Sequence, residues 1–312
     1  GGTIATLSIT GDKDLDGFLD GFALRAENIP APLQYRVPKH HNQKSFRMEC
    51  AEALDQKINA IGSENVLAFV IEPVGGIATG AQPILDDYAN RIREICDDHG
   101  IYLIYDEVMC GTGRTGKFLA SEIFTKAKAD LVVLAKGLGS GYTPLGAVLM
   151  PEGMCDHLAN MTGFNYSHTY NANPITCATG LAVLDVYHKY NLIETASIRG
   201  ESLLKRLIKL SENHPSIGDI RGLGLFLAIE LVANRNLKTP FFKNFLPTEH
   251  IRICGLNNGL IIYSRRTANG LNGDWFIVAP PLTITEKECE ELVYRLDLTL
   301  TEFEKLAKPY MI

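Results

Sequence analysis

The sequence predicts an α/β layer with a mostly parallel sheet, followed by a smaller α+β domain at the C-terminal end. Three observations predict it. Short apolar runs alternate with helical periodicity between residues 66 and 135, the pattern of strand–helix–strand units. After Met150 the pattern changes to two consecutive helical stretches and then a set of strands. The 312 residues also give a prior of about two domains. The division is expected as 1–190 for the large domain and 191–312 for the small one.

The elements follow from local patterns. Residues 1 to 43 carry a short apolar stretch that reads as strand or turn, then a Gly/Asp-rich loop and three prolines, Pro30, Pro32 and Pro38, of an extended segment. Lys44 to Ile61 has apolar residues at three- and four-residue steps and predicts a helix. Val66 to Val74 reads as a buried strand that runs through Glu72-Pro73. Pro83 to Asp98 is the clearest helix, with Ile84, Tyr88, Ile92 and Ile95 on one face and Gly100 as its stop. Ile101 to Tyr105 is a strand ending on Asp106-Glu107. A glycine-rich loop, 111 to 116, is expected to lead into a short helix and then the Leu131–Ala135 strand. Further on, Pro174–Tyr190 and Ile193–Asn213 predict helices. Gly224–Leu231, Gly259–Tyr263 and Trp275–Val278 predict strands, and Glu286–Leu306 predicts a final helix.

Composition narrows the function classes. Hydrophobic residues make up 46% and charged residues 21%, with a net charge of −6, so no basic patch invites nucleic acid. No apolar run has the length of a membrane span. The seven cysteines are scattered without a CxxC pair, which favours free thiols, a reducing compartment and a cytoplasmic address. The chain begins at Gly1 without a methionine, so organellar targeting stays open. The histidines show no metal-binding spacing.

The chemistry concentrates on two strand ends. Lys136 follows the apolar run Leu131–Ala135 directly, and Asp106 closes the preceding strand 30 residues earlier. That separation suits one crossover, so both side chains belong to the same edge of the sheet, where open α/β sheets bind ligands. A lysine there is expected near the core, where an unpaired charge is costly. A converging lysine and carboxylate match the needs of pyridoxal phosphate (PLP): an amine to form a Schiff base and an acid to keep the pyridine nitrogen protonated. A structural ion pair is the competing reading. GTGRTGK, residues 111 to 117, matches G-x-x-x-x-G-K, but Phe118 stands where a P-loop needs Ser or Thr. The same loop fits GxGxxG, without the acidic residue about 20 positions on. SHTYNANP, residues 167 to 174, precedes a helix start and fits either phosphate binding or N-capping.

With these stretches assembled, the chain resembles the class III PLP-dependent aminotransferases of fold type I. The resemblance rests on Glu72-Pro73-Val74, LIYDEVMCGTGRTGKF (103–118), AKGLGSGYTPLGAV (135–148), SHTYNANP, RGLGLFLAIEL (221–231) and APPLTIT (279–285), in the family's order. It implies a mostly parallel, seven-stranded-type sheet. It implies Lys136 as the Schiff-base lysine and proton-transfer base, Asp106 as partner of the pyridinium nitrogen, and Val108 on one face of the ring. Thr169 would reach the phosphate in the neighbouring subunit of a homodimer. Small amines or amino acids and 2-oxo acids or aldehydes would be the substrates, in a ping-pong reaction through pyridoxamine phosphate. An aminomutase on the same scaffold, or a fold retained without turnover, are the rivals.

Several departures accompany the resemblance. The position that often supplies an amide to the ring hydroxyl is Met109. A glutamate and an arginine found in ornithine-type branches are replaced by Ile77 and Ile277, which argues against an α-carboxylate clamp and favours an amine or ω-amino acid. Arg265 and Arg266 are the alternative carboxylate binders. The family's N-terminal segment, with a phosphate loop and a stacking aromatic, is expected to be missing from the large domain.

Overall fold

The computed structural model describes residues 1–12, 26–163, 165, 169–242 and 244–311. The opening stretch, expected as strand or turn, forms a single-turn helix α1 (Ile4–Ser8), where Thr3 and Thr6 make a reciprocal cap. α2 (Gln43–Ile61) starts behind Asn42, whose side chain accepts the Ser45 N–H at 2.9 Å, a cap worth about 1 kcal/mol. β1 (Ala68–Ile71), α3 (Asp86–His99) and β2 (Tyr102–Asp106) form the expected strand–helix–strand unit. Asp86 and Asp87 in the first turn of α3 suit its dipole, and Gly100 ends it in the left-handed region.

β3 (Leu131–Leu134) and β4 (Ala147–Leu149) complete a four-stranded sheet in the order β1-β2-β3-β4. The first two pairings are parallel, with Ile71 opposite Tyr105 and Asp106 opposite Val133, and the last is antiparallel. The seven-stranded sheet implied by the resemblance thus has four strands among the described residues. α2 and α3 cover it, with Ile58, Tyr88, Ile92, Ile95, Leu103 and Tyr105 fully buried. Each such side chain contributes roughly 1.5–3 kcal/mol by leaving water.

The connection from β2 to β3 departs from expectation. The short helix is one 3-10 turn, Ala120–Ile123. Its first N–H groups are taken by buried Glu107, which accepts from Ala120 N at 2.5 Å and Ser121 N at 2.9 Å. A carboxylate bound to both amides fixes a single turn against the sheet.

The second half is built on α4 (Glu152–Thr162), α5 (Pro174–Lys189), α6 (Leu192–Ser211), β5 (Ile217–Leu223), β6 (Phe226–Leu231), α7 (Pro247–Asn257), β7 (Tyr263–Thr267), β8 (Gly273–Val278) and α8 (Glu286–Ala307). Its sheet is antiparallel throughout, in the order β5-β6-β8-β7. Every residue of β6 and β8 is buried, so their apolar runs were legible. α4, β5 and α7 were not anticipated. β5 is interrupted by Gly218, Asp219, Arg221 and Gly222, and no residue of α4 is buried. β7 lies later than the expected 259–263, because its polar YSRRT sequence is carried by pairing with β8.

Charged groups lock this half together. Arg221 donates to Gly80 O, Thr79 O, Asp219 and Glu230, at 2.6–3.2 Å, and lies over the Trp275 ring. His214, on the turn between α6 and β5, has Nδ1 3.1 Å from Glu304 and Nε2 2.8 Å from Asp297, both on α8. All seven cysteines are free. No helix among the described residues is long and apolar enough to cross a membrane.

Candidate active site

Three chemically useful side chains sit at the carboxyl ends of three adjacent strands. Glu72 follows β1, Asp106 ends β2, and Lys136 lies just past β3. Because β1, β2 and β3 run parallel, all three lie at one edge of the sheet, as the spacing predicted for Asp106 and Lys136. Asp106 is half-buried, and its Oδ1 accepts the Val108 N–H at 3.0 Å. That bond orients the carboxylate. Val108 therefore holds Asp106 through its backbone, a role its side chain alone did not suggest.

Lys136 differs from expectation in one respect. Its side chain is exposed and not near the core. Among the described residues it makes no hydrogen bond or ion pair, so the structural ion pair with Asp106 does not form. β3 stops at Leu134, and a 3-10 turn over Lys136–Leu138 carries the side chain away from the interior. Lys136 has φ of +43°, a left-handed conformation that costs a non-glycine residue about 1–2 kcal/mol. Such strain persists where neighbours over-determine the backbone. Here Gly137 lies so close to Thr112 that a Cβ on it would stand 2.2 Å from Thr112 Oγ1. Tyr187 Oη also donates to Gly137 O at 3.4 Å.

The glycine-rich loop of residues 111–117 is therefore a support for the lysine turn. Its Gly113 and Gly116 have positive φ and pack closely on Tyr187 and Ser197. Arg114 donates to Pro280 O and Leu225 O, and its own carbonyl accepts the Leu225 N–H. The loop's backbone is thus turned into protein and forms no phosphate cradle. Glu107, beside Asp106, is consumed in capping the 3-10 turn, and burial pushes its pKa up. Glu72 is the residue the sequence reasoning left without a role. Burial first, and the Asp106 charge second, push its pKa up to about 7.

The remaining candidates separate clearly. Thr169 is exposed, on a turn before α5; Ser167 and His168 lie outside the described residues. Asn173 caps α5, accepting from Ile175 N at 3.1 Å and Thr176 N at 3.2 Å, so capping accounts for that end of the SHTYNANP motif. Arg266 donates to Phe241 O, Phe245 O and Asn269 O, and is a structural clamp on the second sheet. Arg265 pairs with Asp12 at 2.6 Å. Both arginines are on β7 and not in a loop. Ile77 and Ile277 share one apolar cluster with Val74, Cys110 and Met109. Two surface depressions of about 280 and 250 Å³ surround Arg235. They hold no chemistry, because that guanidinium is bound to the carbonyls of Ser211, His214 and Ile217.

A lysine and a carboxylate placed at one edge of a mixed α/β sheet are the groups a carbonyl cofactor calls for. The chain belongs to the class III aminotransferases: the family model Aminotransferase class-III matches residues 1–300. It is 35% identical to the uncharacterized aminotransferase YodT of Bacillus subtilis (strain 168), over 98% of this chain and 69% of that protein. It is 33% identical to the putrescine–pyruvate aminotransferase of Pseudomonas aeruginosa, over 94% of this chain and 62% of that one. An amine transaminase from an uncultivated Pseudomonas species, solved in a PLP-bound form, superposes with a TM-score of 0.86 at 31% identity. That match covers 96% of this chain and 67% of the other. The chain thus spans about two thirds of the length of the relatives it matches.

The family indicates PLP as cofactor, and the donor set fits it. Among the described residues, the Lys136 amine has no partner and Asp106 keeps one carboxylate oxygen without a hydrogen bond. When bound, the cofactor supplies an electron sink for carbanionic charge.

Proposed function

We propose that this protein is a PLP-dependent aminotransferase that moves an amino group from an amine or ω-amino acid to a 2-oxo acid or aldehyde. The observation that carries the reading is the unpaired Lys136 beside the oriented Asp106 at one sheet edge. Lys136 holds the cofactor through its amine and, once released, moves the proton at the substrate carbon. Asp106, fixed by Val108 N, would keep the ring nitrogen protonated, and the Val108 side chain would pack on the ring. The apolar neighbourhood of Ile77, Ile277 and Met109 supports a donor without an α-carboxylate at that position.

The same reading includes a homodimer in which Thr169 reaches the phosphate in the neighbouring subunit. In its support, Thr169 is exposed, and Tyr142, Tyr170 and Ile175 beside it are 76–82% exposed, more apolar surface than an isolated protomer favours. We further place a domain division near residue 190, supported by the main buried cluster of each sheet, the second of which also takes in Val183 and Tyr187 of α5, and a cytoplasmic address, supported by the free thiols.

The test is direct. PLP is added, the visible band is recorded, and borohydride reduction followed by peptide mapping locates the modified residue. A label on Lys136 is the expected result. A label on Lys117 instead overturns the assignment.

A further inference from the structure

Glu72 is a half-buried carboxyl group at the proposed cofactor edge that the mechanism does not use. It accepts the Gly76 N–H and feels the charges of Asp106 and Lys136. The other titratable groups coupled to it are the Gly1 amino group and the Cys110 thiol. Its Oε1 and the Met109 sulfur each lie 2.7 Å from the point where a Cβ on Gly76 would stand. The two are therefore no farther apart than twice that distance, and only a glycine at 76 leaves them this space. Carboxyl and thioether together line one flank of the Asp106–Lys136 edge.

The cofactor's chemistry says which flank this is. With the ring nitrogen toward Asp106 and the carbonyl carbon toward Lys136, one flank carries the phosphate and the other the ring hydroxyl and methyl. A carboxyl group and a thioether offer neither a cation nor an N–H to a phosphate dianion, so the flank that Glu72 and Met109 line suits the hydroxyl. That oxygen is electron-rich and calls for a donor. Met109 has none, because a thioether is only a weak acceptor, whereas a protonated carboxyl has an O–H.

We infer that Glu72 is a cofactor-binding residue that donates its carboxyl proton to the ring hydroxyl oxygen, on the flank where Met109 can only pack. The inference rests on the PLP reading given above. A pKa pushed up to about 7 by burial and by Asp106 leaves much of the group protonated near neutral pH.

The experiment follows the pH titration of the visible band in PLP-loaded wild-type protein, Glu72→Gln, Glu72→Ala and Glu72→Ala/Met109→Gln. A donor to the ring oxygen draws charge from the ring and lowers the pH at which the attached lysine nitrogen loses its proton. Glu72→Ala is expected to raise the midpoint by about one pH unit, the scale of one hydrogen bond to a charged group. Glu72→Gln, which keeps a donor, stays near wild type, and Met109→Gln restores the midpoint in the alanine background. A midpoint that falls in Glu72→Ala means Glu72 acts as an anion and overturns the inference; so does an unchanged one. Either result leaves a Lys136 label, and with it the proposed function, standing. A wild-type protein with no band overturns both.

Discussion

The two sheets treat charge in opposite ways. At the strand ends of the first sheet, among the described residues, Lys136 has no partner and Asp106 is held by a single backbone N–H. Around the second sheet three buried cations are heavily bonded. Arg221 reaches four acceptor residues, Arg266 three carbonyls, and His214 a carboxylate from each ring nitrogen. Charge in the second sheet fixes geometry, while charge at the first is left available for a ligand. The difference also explains why a spacing argument brought Asp106 and Lys136 to one edge yet misjudged the burial of Lys136.

The sharpest way to break the contrast is Lys136→Ala. Activity should fall by roughly 10³-fold or more, and the visible band with PLP should vanish, while the urea unfolding midpoint does not decrease. A loss of stability comparable to that of a core variant would place Lys136 in the scaffold instead. Arg221→Met is the reverse case. It leaves Glu230, which is 1% exposed, with Arg36 as its remaining cationic partner. The expected loss is about 3–5 kcal/mol in urea unfolding, with the Lys136 label retained in protein that stays folded.

His214 sharpens the comparison through pH. Burial works against its charge, but the hydrogen bonds to Glu304 and Asp297 prevail and raise its pKa. A group whose pKa is raised on folding contributes its full stability below the unfolded value, about 6.5, and loses it as pH rises through the folded value. Glu304 is lowered on balance, since its bonds to His214 and Ser216 outweigh burial. Its contribution is present above the unfolded carboxylate range and is lost as pH falls through the folded value. Thermal unfolding of His214→Asn across pH 5–9 should show a flattened alkaline limb. The expected change is small, about 1 kcal/mol at its largest.

Much of the fold was legible because apolar periodicity reports burial. β6 and β8 are wholly buried and α3 has one clear apolar face, so each was found within a few residues. β5, β7 and α7 carry polar or glycine-broken sequences that only sheet pairing and packing stabilise, and no local signal marks them. At the sheet edge, the placement of Asp106 and Lys136 at strand ends was readable. Glu72 was visible only as part of a motif, because its role depends on Met109, more than thirty residues away and brought close by the fold. The loop of residues 111–117 misled for the same reason. Its glycines serve contacts with Tyr187 and Ser197 that no linear pattern encodes.

The left-handed backbone at Lys136 also bears on how this position would drift. Glycine is the residue that conformation favours, so Lys136→Gly should fold more stably than wild type, by about 1–2 kcal/mol, while abolishing turnover. Calorimetry on the two proteins without cofactor would measure the gain. In the proposed role, Lys136 would thus trade local stability for chemistry.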